Sequence, residues 1–122
     1  VAPDRHLCRT ELHMGANGKA LTQLRTMTGT AAAETENDVH YFVAGSMGWW
    51  RLEALRPLLD AHLADDLFEP ELGQIDGTWA HATERFLVES VRRAGYTACE
   101  RHQVKGVAAD PRIRMPYTES AG

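Results

Sequence analysis

Cysteine is scarce in this chain: Cys8 and Cys99 are the only two in 122 residues. One pair cannot make the framework of a disulfide-stapled domain, and no Cys-x-x-Cys suggests zinc or a redox couple. The spacing leaves a single bridge open, and free, partly buried thiols suit a reducing compartment. Long apolar runs are missing as well. The longest, Tyr41 to Ala44, is far too short to span a bilayer. The first residues, Val-Ala-Pro-Asp-Arg-His, lack the basic-then-apolar layout of a secretion signal, so a cytoplasmic protein is expected. Neither phosphate fingerprint, Gly-x-x-x-x-Gly-Lys-Ser/Thr or Gly-x-Gly-x-x-Gly, is present, and there is no His-Glu-x-x-His. Internal repeats and low-complexity blocks are absent too.

What is there fits one domain. An apolar share of 43% and a charged share of 25% are ordinary for a globular protein. A chain of this size buries enough surface to fold without a staple. We expect one globular domain over 1–106 and an irregular tail over 107–122, which carries two prolines and small polar residues. The net charge of −4 is unevenly spread. Residues 38–75 hold seven acids against two bases, whereas 92–114 hold six bases against two acids. The basic segment could meet phosphate or an acidic partner, or form a solvated face; nucleic acid is not the favoured partner.

Arg5 to Met14 alternates well enough for a strand, and Gly15-Ala16-Asn17-Gly18 breaks it. The spacing of Leu21, Leu24 and Met27 predicts a helix from Lys19, weakened by threonines and by Gly29. Ala31 to Glu34 either extends it or leads into a loop. Val39 to Ala44 reads as a strand covered on both faces, with His40 the polar exception. After Gly48 the stripe Leu52, Leu55, Leu59, Leu63 is helical, with a kink or fresh start at Pro57. A loop with at most a short strand at Leu67-Phe68 follows. The clearest helix has Asp76 or Thr78 as its cap, a face of Trp79, Ala82, Phe86, Leu87, Val91 and Ala94, and Gly95 as its stop. Tyr96 to Val104 reads as a third strand. The fold class expected is therefore α/β, a small three-to-four-stranded, at least partly parallel sheet covered by helices in the order β-α-β-α-α-β.

The corner at Gly45-Ser46-Met47-Gly48 carries the functional expectation. A buried strand, a glycine-flanked loop and a following helix make an anion site, because glycine allows close approach and a helix start has spare amides. Gly45, Ser46, Gly48, Trp49 and Arg51 are its candidate binding residues. Trp49 or Trp50 could stack on a flat ring, and His40 or Arg51 would assist. The ligand expected is an anionic small molecule, phosphorylated or nucleotide-like, with no cofactor specified. The alternative from another class is a non-catalytic protein-interaction or oligomerisation module. The residues leave undecided whether the chain is an enzyme.

A further alternative makes Ser46 a nucleophile. "AGSMG" resembles the nucleophile elbow of α/β-hydrolases, where a serine stands on a tight strand-to-helix turn. Ala44 replaces the usual first glycine. The resemblance implies Ser46 as nucleophile, with Asp76 and then His81 or His102 following in that family's chain order; His40, in the strand, is a candidate base by proximity. The resemblance covers five residues, and the chain is too short for that family's eight-stranded sheet. Six histidines invite a metal, but the sets His6 with Cys8, Glu11 with His13, and His81 with Glu84 are incomplete, so no metal ligand is assigned. His81 and Glu84 lie off the apolar stripe and suit an exposed pair.

Overall fold

The structure is a computed structural model that describes residues 1–29 and 39–104. Among these residues run strand β1 (Leu7–Arg9), helix α1 (Gly18–Met27), strand β2 (Tyr41–Val43), short helix α2 (Arg56–Leu59) and helix α3 (Trp79–Arg93). Tight 3-10 turns at Thr10–His13, Gly15–Asn17, Leu52–Leu55, Asp65–Leu67 and Arg101–Gln103 link or follow them. No helix among the described residues is long and apolar enough to cross a membrane. Cys8 and Cys99 are both free thiols. The tail expected over 107–122, the Ala31–Glu34 extension, and Lys105, Arg112 and Arg114 of the basic segment lie outside the described residues.

The expected three-to-four-stranded, partly parallel sheet is corrected by the structure. Among the described residues the sheet has two strands, β1 and β2, paired antiparallel with Cys8 opposite Phe42. The segment from Tyr96 does run alongside the N-terminal residues, but among the described residues its pairing is one parallel bridge, Ala2 with Glu100. Pro3 has no amide to continue a ladder, and Arg5 turns the chain at φ 62°. What replaces the ladder is a buried carboxylate. Asp4, 4% exposed, accepts from the Arg101 guanidinium at 2.8 Å and from the His102 amide at 2.8 Å. The strand expected across Arg5–Met14 shortens in the same way, because Thr10–His13 coils into a 3-10 turn.

Helix α3 organises everything else. Thr78 caps its start, accepting from the His81 amide. Gly95, at φ 83°, ends it in a left-handed cap: its amide reaches Arg92, and the Tyr96 amide reaches Val91. With 100° between residues, two working faces result. Ala82, Phe86, Glu89 and Arg93 face α1. Ala82 and Phe86 are fully buried there with Leu21 and Leu24, and Met14, Trp79, Leu58 and Leu63 pack around them. His81, Glu84, Arg85, Val88 and Val91 occupy the other face. Val88 joins Ala2 and Val43 in a second apolar cluster, with Tyr41, Trp50 and Ala98 packed on it. The first two turns of this face carry polar groups where the later turns carry valines.

Between α1 and β2 the core holds charge. Arg25 of α1 donates through Nε to Glu89 Oε2 at 2.9 Å and through Nη2 to Oε1, and His40 Nδ1 lies 3.5 Å from the same carboxylate. Glu89 is only 4% exposed. A second tie joins the starts of α1 and α3. The Asp76 carboxylate accepts from the Ala16 amide at 2.9 Å and from the Asn17 side chain, and Asn17 in turn accepts from the Gly77 amide at 3.0 Å. Gly15 is required there. Its φ is 53°, and a β-carbon would stand 2.1 Å from an Asp76 oxygen.

Candidate functional site

Strand β2 ends in a turn closed by the Ser46 amide on the Val43 carbonyl at 3.0 Å. Gly45, at φ 79°, takes the position that asks for positive φ in such a turn. A β-carbon on Gly45 would meet nothing within 4 Å, so backbone conformation rather than close approach explains the glycine. Ser46 follows at φ 55° and is exposed. The amides of this corner are largely occupied. Gly45 donates to Glu84 Oε1 at 2.7 Å, Ser46 to Val43, and Trp49 to the Val1 carbonyl at 2.9 Å. The helix expected directly after Gly48 is a correction as well. Residues 48–51 are irregular, and only a four-residue 3-10 turn and then the four-residue α2 follow. Pro57 sits in the first turn of α2, as a fresh helix start at that residue requires. The stripe Leu52 to Leu63 is thus broken into short turns that leave Leu52 66% exposed.

Nor are the hydrolase-order residues assembled. The Asp76 carboxylate is held by Ala16 and Asn17. The His81 ring bonds Thr78 Oγ1 at 2.7 Å, and the His102 ring lies 3.1 Å from Asp4. His40 is buried against Glu89, and its amide donates to Glu11 Oε1 at 2.9 Å. Burial alone would push the Glu11 pKa up. The His40 amide, its own amide and the charges of His40 and Arg9 together hold it below its usual value. Among the described residues no three histidine, cysteine or acidic side chains gather as a metal cage. The His6 ring is engaged with the Ala44 carbonyl at 2.9 Å.

The structure does bring together a set that sequence spacing leaves scattered. A cleft of about 200 Å³ opens beside Gly45, walled by His13, His81, Glu84 and Arg85, with Phe42 and Ile75 as apolar surface. That volume exceeds the roughly 150 Å³ cavity that admits benzene, so a six-membered ring fits. Arg85 is locked in place. Its guanidinium lies 4.8 Å above the Phe42 ring, donates to the His13 and His81 carbonyls, and pairs with Glu84 Oε2 at 2.6 Å. Glu84 is therefore fixed at both oxygens, one on Gly45 and one on Arg85, each oxygen keeping a lone pair. Thr78 engages Nδ1 of His81 and leaves Nε2 for another partner. His81 and Glu84, expected as an exposed pair, are half-buried, because the face of α3 opposite α1 packs over β2. Only their three-residue spacing on one helix hinted at this; His13 and Gly45 come from distant segments.

Trp49 stands 84% exposed and Trp50 is half-buried. Together with Arg51 they line a separate pocket that contains neither Ser46 nor Gly45.

Comparison with known proteins adds one relationship. The chain is 46% identical to the uncharacterized protein WxcX of Xanthomonas campestris pv. campestris. The same identity holds for WxcX of strains B100 and ATCC 33913, over 117 residues and 96% of this chain. The match covers 16% of the WxcX chains, so this sequence spans about a sixth of the length of the relatives it matches. No family model and no solved structure matches.

Proposed function

We propose that this chain binds a small, neutral, hydroxyl-bearing molecule in the cleft between the Gly45 turn and α3. The observation that carries the reading is Glu84, a carboxylate held rigid by the Gly45 amide and by Arg85 at the wall of a ring-sized cleft. Hydroxyl groups donate well to such a carboxylate, and His81 Nε2 can accept from or donate to a second hydroxyl. Phosphate or sulfate fits this cleft poorly. It would face the Glu84 carboxylate, and the guanidinium of Arg85 in the cleft wall already spends four of its five donors on His13, His81 and Glu84. The corner's amides are no substitute, since Gly45, Ser46 and Trp49 are bonded within the chain.

The test is a titration of the ¹⁵N-labelled chain with a panel of monosaccharides and linear polyols, beside inorganic phosphate. A panel member is expected to shift the Gly45, His81 and Glu84 amides saturably. His81→Ala should weaken it about tenfold, the loss of one hydrogen bond of about 1.4 kcal/mol. Saturable binding of phosphate, lost in Ser46→Ala, with no response to the panel, would return the site to the loop amides.

A further inference from the structure

The pocket beside Trp49 shares no residue with the cleft under Gly45. Its floor is apolar and well buried: Ala2 is 3% exposed, Val43 2% and Val91 5%. Trp49, Trp50 and Tyr96 supply its aromatic walls, with Tyr96 held there by the cap that ends α3. Its size is about 130 Å³, slightly below the roughly 150 Å³ that encloses benzene, so a single ring can enter edge-first with its substituent left outside. Arg51 lines the same pocket. It is exposed, its guanidinium makes no hydrogen bond or ion pair with a described residue, and no acidic side chain is among the described residues that line the pocket.

We infer that this pocket binds a small aromatic carboxylate, its ring against Trp50 and Tyr96 and its carboxylate on Arg51. Each part answers a separate demand. An apolar floor with aromatic walls favours a flat ring through area burial and offset or edge contacts. An unpaired guanidinium presents a planar fork of donors that matches a carboxylate two bonds at a time. The charge of the ligand remains at the rim in water, so no desolvated ion has to be compensated. The inference is independent of the cleft described above: it uses none of the same lining residues and asks for a negatively charged ligand where the cleft asks for a neutral one.

Benzoate, benzyl alcohol and acetate separate the contributions, followed by the indole N–H signals of Trp49 and Trp50 in the ¹⁵N-labelled chain. Benzoate is expected to move both saturably with a Kd of about 1 mM or tighter. Benzyl alcohol, which has the ring without the charge, and acetate, which has the charge without the ring, should each bind at least about tenfold more weakly. Arg51→Gln, at an exposed site that leaves the fold intact by circular dichroism, should reduce benzoate to the level of benzyl alcohol. The inference is overturned if benzoate does not saturate, if acetate or benzyl alcohol matches it, or if Arg51→Gln leaves its Kd unchanged.

Discussion

Glu89→Ala is expected to lower the unfolding free energy by about 3–5 kcal/mol, which would leave little of a typical small domain's stability. The glutamate is 4% exposed and accepts two bonds from Arg25, with His40 Nδ1 at 3.5 Å. Its removal strands a guanidinium whose side chain is only 17% exposed between two helices. The cost comes from that unpaired charge more than from the ion pair itself, because a buried pair gains little over apolar residues of the same shape. A control follows from the same physics. Replacing Arg25 and Glu89 together by methionine should restore most of the loss, since no charge is then left alone. Urea unfolding of the parent and the two variants at neutral pH measures this. A single alanine variant within about 0.5 kcal/mol of the parent would show that the carboxylate is not buried against Arg25.

Asn17→Ala is expected to cost about 2–3 kcal/mol, from buried hydrogen bonds to three partners lost at once. Asn17 is fully buried and holds the Met14 carbonyl, the Asp76 carboxylate and the Gly77 amide. This tie also responds to acid. The Ala16 amide, followed by the Asn17 side chain, holds the Asp76 pKa below the ordinary aspartate value. A folded-state pKa below the unfolded one stabilises the fold wherever the unfolded carboxyl is ionised. The contribution is therefore complete above about pH 4 and drains away as pH falls through the lower folded value. Unfolding free energy measured between neutral pH and about pH 3 should decline more steeply in the parent than in Asp76→Asn. Parallel profiles would remove Asp76 as a titrating part of the tie. Because Ile75 lines the cleft, loosening this turn is also a way to disturb the site at a distance.

Helix α3 shows in the sequence almost completely. The single face expected from Trp79 to Ala94 divides in two, Ala82 and Phe86 packing on α1 and Val91 on the side of Val43. Thr78 and Gly95 announce the cap and stop of the helix, because both are local signals that one segment carries by itself. The apolar run at Tyr41–Val43 announces β2 for the same reason. What fails is whatever depends on a partner. Tyr96 to Val104 has the alternation of a strand, but a strand needs an edge to pair with, and Pro3 and Arg5 remove that edge after a single bridge. Helices between strands suggested parallel crossovers, yet the pairing of Cys8 with Phe42 is antiparallel. Glu89 resembles any solvated helix residue until Arg25, sixty-four positions away, is placed beside it.

The functional corner divides the same way. Gly45 and Ser46 do mark an unusual backbone, and both have positive φ. Their sequence does not reveal that a carboxylate from α3 closes on the Gly45 amide and stands as one wall of a polar cleft beside it. Trp49 and Arg51, expected beside an anion held by Ser46, line a pocket that Ser46 does not reach.

The Gly45 amide proton reports on the central claim most directly. If Glu84 accepts from it and shapes the cleft, Glu84→Gln should move that signal more than those of Met47 and Gly48, and inorganic phosphate should leave it in place. A Gly45 signal indifferent to Glu84→Gln, yet shifted saturably by phosphate together with Ser46 and Trp49, would contradict the account.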